Sequence, residues 1–298
     1  MLAQLISMGR RGLGKRGRLA LASLLPWSVA MMAAGVGSLE KTFETGRYPR
    51  ISVTNLTGRV VVRGWDKAQV HAVYSTVSPR VEVDTEVLSH TGAVDKIHFT
   101  THVLDPLVPA SEQTADYTLE VPVGTSLEIG NPQGRVEIDN LQADATVESV
   151  GGDISVTDYS GHLTARSMGG NIEIIRPSGH VEADTITGNL HFVSPTTTHL
   201  RATTTSGRIL YEGDFVGGGD YRLSAYSGDM DIICPAAASF ELNAKTVHGK
   251  VQNALPIVPR RRPASPMSSA NSLLGTRNTG EATVELRSFK GTIRIRPQ

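Results

Sequence analysis

Cysteine is nearly absent from this sequence, with one residue, Cys234, among 298. A single cysteine excludes an intramolecular disulfide and any metal cluster held by cysteine thiolates. We therefore predict that Cys234 is a small buried side chain rather than a reactive thiol.

Aromatic residues are also scarce, at 5% of the chain, and no helical period of hydrophobic residues runs through its repeats. A core must therefore be built from Val, Ile, Leu and Ala. The 30 glycines favour many tight turns over long helices. These features predict an all-β protein, long enough for one large domain or two ordinary ones.

The chain has no net charge, but five cations and no acidic residue lie in its first 38 residues. The five are Arg10, Arg11, Lys15, Arg16 and Arg18. An apolar run follows at 19–37, with small residues at 33–38 where a signal peptidase could cut. We predict a signal peptide over 1–38, with an uncleaved anchor as the alternative.

Export to the periplasm, the cell envelope or the extracellular space follows from this segment. Membrane contact is expected only through it, and only if it stays attached. Its removal would leave a net charge of −5, which argues against a nucleic-acid partner.

An eight-residue unit that ends in glycine, followed by four alternating residues, recurs nine times. Examples are "LTARSMGG NIEI" from Leu163 and "VEADTITG NLHF" from Val181. The turn glycines are Gly58, Gly134, Gly152, Gly170, Gly188, Gly207, Gly228, Gly249 and Gly291. A period of 18 to 21 residues between Gly134 and Gly249 indicates a structural repeat.

Positions within the unit have distinct chemistry. Positions one, three, ten and twelve are apolar, which predicts two short strands with one buried face. Position five is Ser or Thr in most copies and position six is usually apolar, so we predict that the strand bends at position five and turns position six inward. The glycine at position eight predicts a turn with positive φ.

Such a unit cannot bury its apolar face alone, so successive units must stack. We predict a right-handed parallel β-solenoid over 127–298 with an N-terminal antiparallel β cap over 41–126 that includes the first repeat. The alternative is a β-sandwich in which each glycine turn closes a hairpin. Residues 255–280, rich in Pro and Ser, predict a disordered insertion before the final rung.

Three stretches carry a family resemblance: "ISVTNLTGRVVVRGWD" from Ile51, "YTLEVPVGTSLEIGNPQGRVEI" from Tyr117, and the glycine-turn repeats after them. From about Lys41 to the C-terminus the sequence resembles the bacterial "putative adhesin" β-strand-repeat family, a domain of unknown function. The resemblance implies an exported repeat domain with a β-solenoid-like fold and no catalytic residues. The insertion at 255–280 departs from the family pattern.

Histidines precede position one in three successive units, His162, His180 and His199, and Asp220 takes this place in the next. Stacking would set the imidazoles about 4.8 Å apart. A linear ladder matches tetrahedral metal coordination poorly, so we predict no metal site and no cofactor. These four residues remain candidates for ligand binding.

Other polar positions predict structural ladders. Glu148, Arg166 and Asp184 occupy position four on successive rungs, where alternating charge suits neighbouring strands. Asn171 and Asn189 follow turn glycines and are expected to stack in the same way.

An enzyme on a solenoid would need converging carboxylates. Asp153, Asp229 and Asp231 lie near turns, but the sequence has no nucleophile elbow, P-loop or dinucleotide fingerprint. We therefore predict no catalytic residues and no enzyme activity. The expected function is a repetitive surface for adhesion, ligand binding or envelope structure, with a cell-surface glycan or an envelope protein as partner. The alternative is a polysaccharide lyase or hydrolase.

Overall fold

The computed structural model describes residues 37–90, 93–105, 107–259 and 268–298. The predicted signal peptide lies almost wholly outside this range, as do the three arginines at 260–262. In the described part of the chain, no helix is long and apolar enough to span a membrane.

The described residues form 25 β-strands and one 3-10 turn, Ala110–Glu112, with no α-helix among them. The first six strands are β1 (Ser38–Thr54), β2 (Val60–Trp65), β3 (Gln69–Thr76), β4 (Val81–His90), β5 (Ala93–Val103) and β6 (Ala115–Pro122). The central twelve are β7 (Ser126–Gly130), β8 (Val136–Asp139), β9 (Ala145–Ser149), β10 (Ile154–Thr157), β11 (Ser160–Ser167), β12 (Ile172–Ile175), β13 (Ser178–Thr185), β14 (Leu190–Val193), β15 (His199–Thr204), β16 (Ile209–Glu212), β17 (Asp220–Ser227) and β18 (Met230–Cys234). The last seven are β19 (Phe240–His248), β20 (Val251–Asn253), β21 (Val258–Pro259), β22 (Ser268–Ser269), β23 (Ser272–Arg277), β24 (Ala282–Lys290) and β25 (Ile293–Pro297).

Neighbouring repeats pair in parallel and in register. In β11 and β13, Leu163 pairs with Val181, and in β12 and β14, Ile172 pairs with Leu190. The first strands of the repeats thus build one sheet (sheet 1) and the second strands build another (sheet 2). This confirms the predicted parallel β-solenoid and excludes the hairpin sandwich, because hairpins would pair the strands antiparallel.

Aliphatic side chains from both sheets fill the interior. Leu163 and Ala165 of sheet 1, and Ile172 and Ile174 of sheet 2, are at most 1% exposed. The same positions are buried in the neighbouring rungs, so one continuous core runs through the stack. In the repeats that begin at Leu163, Val181 and Leu200, position three is a buried alanine: Ala165, Ala183 and Ala202.

The order of the rungs in the stack differs from their order in the chain at both ends. The last repeat, β24 and β25, lies between β17/β18 on one side and β19/β20 on the other. The first repeat, β1 and β2, likewise lies between β5/β6 and β7/β8. We number the ten rungs along the stack, from rung 1 (β5/β6) and rung 2 (β1/β2) to rung 9 (β24/β25) and rung 10 (β19/β20).

The region 41–126 is therefore only partly an antiparallel cap. Its strands β5 and β6 form a rung that is parallel to the first repeat. Strands β3 and β4 pair antiparallel with this rung and close the end of the stack. Antiparallel closure removes an open parallel edge that could recruit other chains.

The described part of the insertion 255–280 is ordered at 272–277, so the prediction of disorder is wrong there. Strand β23 pairs antiparallel with β19 over six residue pairs, from Phe240–Arg277 to Lys245–Ser272. Leu273 packs against the core. The strand covers the free edge of rung 10, and this need for edge pairing overrides a loop-like composition.

Candidate interaction surface

Position five of the repeat points into the solenoid. Ser149, Ser167 and Thr185 are 5–7% exposed, whereas the residues that follow, Val150 and Met168, are 49% and 53% exposed. The predicted bend that turns position six inward is therefore wrong. The strand keeps its period of two through position five, which places position six on the outside.

Buried hydroxyl groups explain why Ser and Thr occupy position five. Ser167 Oγ accepts the N–H of Gly170 at 2.8 Å and donates to the carbonyl oxygen of Gly152 at 3.5 Å. Thr185 Oγ1 does the same with Gly188 at 3.1 Å and Gly170 at 3.3 Å. Each of these two hydroxyl groups thus ties its own turn to the turn one rung below, and both are paired although they are buried.

The turn glycines form one column in which each backbone touches the next. A Cβ on any of the nine would lie between 1.8 and 2.2 Å from a carbonyl oxygen of the adjacent rung. The prediction of positive φ holds only at Gly58, Gly134 and Gly291, whose φ values are 127°, 106° and 152°. At the other six, glycine is required by close approach of two backbones.

The outward residues at position six form what we call the apolar row. In stack order from rung 2 to rung 10 they are Leu56, Pro132, Val150, Met168, Ile186, Thr205, Tyr226, Phe289 and Val247. The large apolar members Leu56, Val150, Met168, Ile186, Tyr226 and Val247 are 37–55% exposed. At about 4.8 Å per rung the row is roughly 38 Å long.

A groove of about 680 Å³ follows the middle of the row. Its lining includes Val150, Met168 and Ile186 from the row and Glu148, Arg166 and Asp184 from position four. Arg166 lies 3.6 Å from Glu148 and 3.8 Å from Asp184, as alternating charge predicts. All three charged side chains are 41–62% exposed, so they remain available to a partner.

The far end of the row is aromatic because the last repeat is inserted beside the seventh. The rings of Tyr226 and Phe289 stack with centroids 4.8 Å apart and planes at 6°. His248 meets Phe289 edge-on at 5.3 Å. This cluster joins the seventh, ninth and eighth repeats, which stack in that order and not in chain order.

The histidine ladder exists, at the opposite end of the same strands of sheet 1. The ring centroids of His162 and His180 are 4.5 Å apart and those of His180 and His199 are 5.4 Å apart. Asp220 pairs in register with His199, but its carboxylate binds Arg222 at 2.7 Å. Within the described ranges, no three His, Cys, Asp or Glu side chains could together hold a metal ion.

A small cavity of about 120 Å³ adjoins the ladder between the rungs of His180, His199 and Asp220. Both Arg201 and Arg222 line it. Its size admits a few water molecules rather than a drug-sized ligand.

The carboxylates considered for catalysis are engaged in contacts between rungs. Asp153 accepts the backbone N–H of Asn171 at 2.8 Å, and Asn171 in turn accepts the N–H of Asn189 at 3.0 Å, which is the predicted stacked turn ladder. Asp229 accepts the N–H of Thr292 at 2.8 Å and a bond from Arg294 at 2.9 Å.

Asp229 and Asp231 both lie beside arginines of neighbouring rungs. The N–H of Thr292, and then the guanidinium of Arg294, hold the pKa of Asp229 below its ordinary value. Asp231 is 2% exposed and lies 2.8 Å from Arg208 and 3.7 Å from Arg294. Both carboxylates are thus paired with cations.

Comparison with known proteins gives one family match. Residues 183–296 match the model of the family described as Toastrack DUF4097. The match covers the later repeats, and over these residues it confirms the resemblance to a family of unknown function. No curated protein matches the sequence.

Three solved structures are similar over most of their length. A "putative adhesin" from Bacteroides fragilis is 11% identical, with 88% of this chain and 97% of that chain covered and a TM-score of 0.47. A "putative cell adhesion protein" from Clostridium sporogenes is 10% identical, with 89% and 100% covered and a TM-score of 0.31. A "putative adhesin" from Parabacteroides distasonis is 10% identical, with 88% and 98% covered and a TM-score of 0.34.

Proposed function

We propose that this chain is an exported, non-catalytic adhesive protein and that the apolar row is its contact surface. The observation that carries the proposal is the length of that row, which is apolar on eight of its nine rungs. Soluble monomers rarely expose a contiguous apolar patch of more than a few hundred Å², and larger ones mark interaction sites.

The fold itself does not require apolar residues at position six. In most repeats positions one, three, ten and twelve fill the core, and Thr205 occupies position six of rung 7 while Ala202 and Thr204 of the same repeat remain buried. Outward apolar side chains on eight of nine rungs therefore serve something other than the core.

A non-catalytic role is supported by the carboxylates. Asp153 accepts hydrogen bonds in a turn ladder, and Asp229 and Asp231 are paired with arginines. A polysaccharide lyase or hydrolase needs a carboxylate free to exchange a proton with substrate in a cleft. The groove at the row instead has an apolar lining with exposed charges at its margin.

Export is supported by the N-terminal sequence, in which a basic segment precedes the apolar run at 19–37. The three similar structures come from bacteria, and their names refer to adhesion. A surface of this kind fits contact with the cell envelope, either a glycan or an envelope protein.

Retention of protein-coated beads on bacterial envelope material tests the proposal. The variant V150S/M168S/I186S should reduce retention about tenfold or more, because it removes three large apolar contacts, each worth about 1–3 kcal/mol when buried. The matched control is I175S/V193S, which changes outward half-buried aliphatic residues at one position of sheet 2.

The control should be retained like the unchanged protein. Equal retention of the row variant and the unchanged protein would contradict the proposal, as would absence of retention for the unchanged protein. Circular dichroism establishes that all variants are folded.

A further inference from the structure

The apolar row carries an ordered pattern of charge along one margin. Position four presents an acid, a base and an acid on rungs 4 to 6: Glu148, Arg166 and Asp184. On rung 7 this position is Thr203, which is uncharged. A partner that lies along the row must therefore meet charges that alternate in sign from rung 4 to rung 6.

Resting on the proposed function, we infer that the partner is a second copy of this chain, packed row against row and antiparallel. A two-fold axis in the contact plane, crossing the row between rungs 5 and 6, sets position four of one copy against position four of the other. Arg166 then faces Asp184 of the second copy, twice by symmetry, and Glu148 faces Thr203. Opposite charges meet, and no like charges do.

Three other arrangements of two copies match the charges or the rows less well. A parallel arrangement, with the axis along the row, places the position-four margins on opposite sides, so the charges do not meet. An antiparallel arrangement centred on rung 5 sets Arg166 against itself, which is repulsive. An axis between rungs 4 and 5 pairs Glu148 with Arg166 but overlaps only six rungs of the row.

The axis between rungs 5 and 6 overlaps eight rungs and brings the apolar side chains together as well. Met168 faces Ile186, and Leu56 at one end faces Phe289 from the aromatic cluster. The row is flanked on its other side by Gly151 and Gly169. A Cβ on Gly151 would meet nothing within 4 Å, so a second backbone can approach closely there.

The contact area indicates how strong this pairing is. The seven intervals of about 4.8 Å between eight rungs, and four residue steps of about 3.3 Å, give a projected area of roughly 450 Å² on each copy. The total of roughly 900 Å² lies below the 1,200–2,000 Å² of standard stable interfaces. The dimer is therefore weak, with a dissociation constant in the micromolar range or above, and suits adhesion by many copies on a surface.

Sedimentation of the full-length chain with complementary charge variants tests the inference. R166D makes the margin wholly acidic at rungs 4 to 6, and D184R makes two of these three positions basic. Each variant alone should dimerise at least tenfold more weakly than the unchanged protein at low salt. An equimolar mixture of the two should recover dimers, because both acids at positions 166 and 184 of one variant then face the arginines at positions 184 and 166 of the other.

Mixing the two variants distinguishes contacts between copies from contacts within one copy, since mixing leaves the contacts within each copy unchanged. The unchanged protein remaining monomeric at several hundred micromolar would overturn the inference, and so would a mixture no more dimeric than its components. If the protein is monomeric while its coated beads still bind envelope material through the row, the second copy is wrong and the proposed function stands. If neither dimers nor retention on envelope material is observed, the row is not a contact surface.

Discussion

Replacing Gly152 by Ala should destabilise the protein by at least about 3 kcal/mol and lower its Tm by about 10 °C or more. A Cβ at this position would lie 1.8 Å from the carbonyl oxygen of Gly134 and 3.0 Å from Ser149 Oγ. The obstacle is backbone of the next rung rather than a flexible side chain. Relief requires that the two rungs separate, which breaks the ladder hydrogen bonds and opens the core between them.

The adjacent residue provides the control. A Cβ on Gly151 would meet nothing within 4 Å, so Gly151→Ala should change stability by less than about 0.5 kcal/mol. Thermal unfolding followed by circular dichroism compares the two variants directly. Equal Tm values for both would show that the glycine column is not held by close approach.

Removing the last repeat, by truncation after Glu281, should unfold rung 10 as well as rung 9. Strand β24 is hydrogen-bonded to β17 on one side and to β19 on the other. Its side chains Val284 and Leu286, with Ile293 and Ile295 of β25, are at most 2% exposed. Four such side chains represent roughly 6–12 kcal/mol of burial, comparable with the whole stability of a domain.

Hydrogen exchange measured by mass spectrometry can locate this loss. Residues 240–253 should lose protection in the truncated chain, while residues 145–204 should keep it because stacked repeats depend mainly on their neighbours. Truncation after Arg296, which removes only the exposed Pro297 and Gln298, is the control. Protection of 240–253 after the longer truncation would mean that the last repeat lies at the end of the stack.

The pattern of apolar residues and glycines in the repeats predicts most of the fold. Apolar residues at positions one and three, together with a nearly constant period, define which side chains face the core and favour parallel stacking over a hairpin sandwich. Leu163, Val181 and Leu200 are buried one above another as that pattern predicts. Local periodicity is sufficient here because each rung repeats the same few interactions.

The candidate surface could not be read from the sequence in the same way. Met168 is apolar, and an apolar residue is ordinarily assigned to the core. Its hydrophobicity therefore predicts a buried side chain, whereas the alternation of the strand places it on the outside. Its neighbour Ser167 is polar, which by itself predicts a bend, because the sequence does not show that the hydroxyl is hydrogen-bonded to the next rung. Strict continuation of the period of two would have placed both side chains correctly.

The order of the end rungs was also beyond a local pattern. Nothing in "VELRSFKG" distinguishes a repeat at the end of the stack from one inserted before it. That choice depends on long-range pairing of β24 with two partners and on β23 covering the edge of β19. The sequence of a single repeat carries no information on such pairing.

Thiol labelling tests most directly whether position six is the outer surface. Met168→Cys should react with a maleimide in the native protein at nearly the rate of a free thiol, while Ser167→Cys should react at least about 100-fold more slowly. The natural Cys234 serves as an internal reference, because it is buried and burial raises its pKa to about 11. Fast labelling at position 167 with protection at position 168 would contradict the outward apolar row.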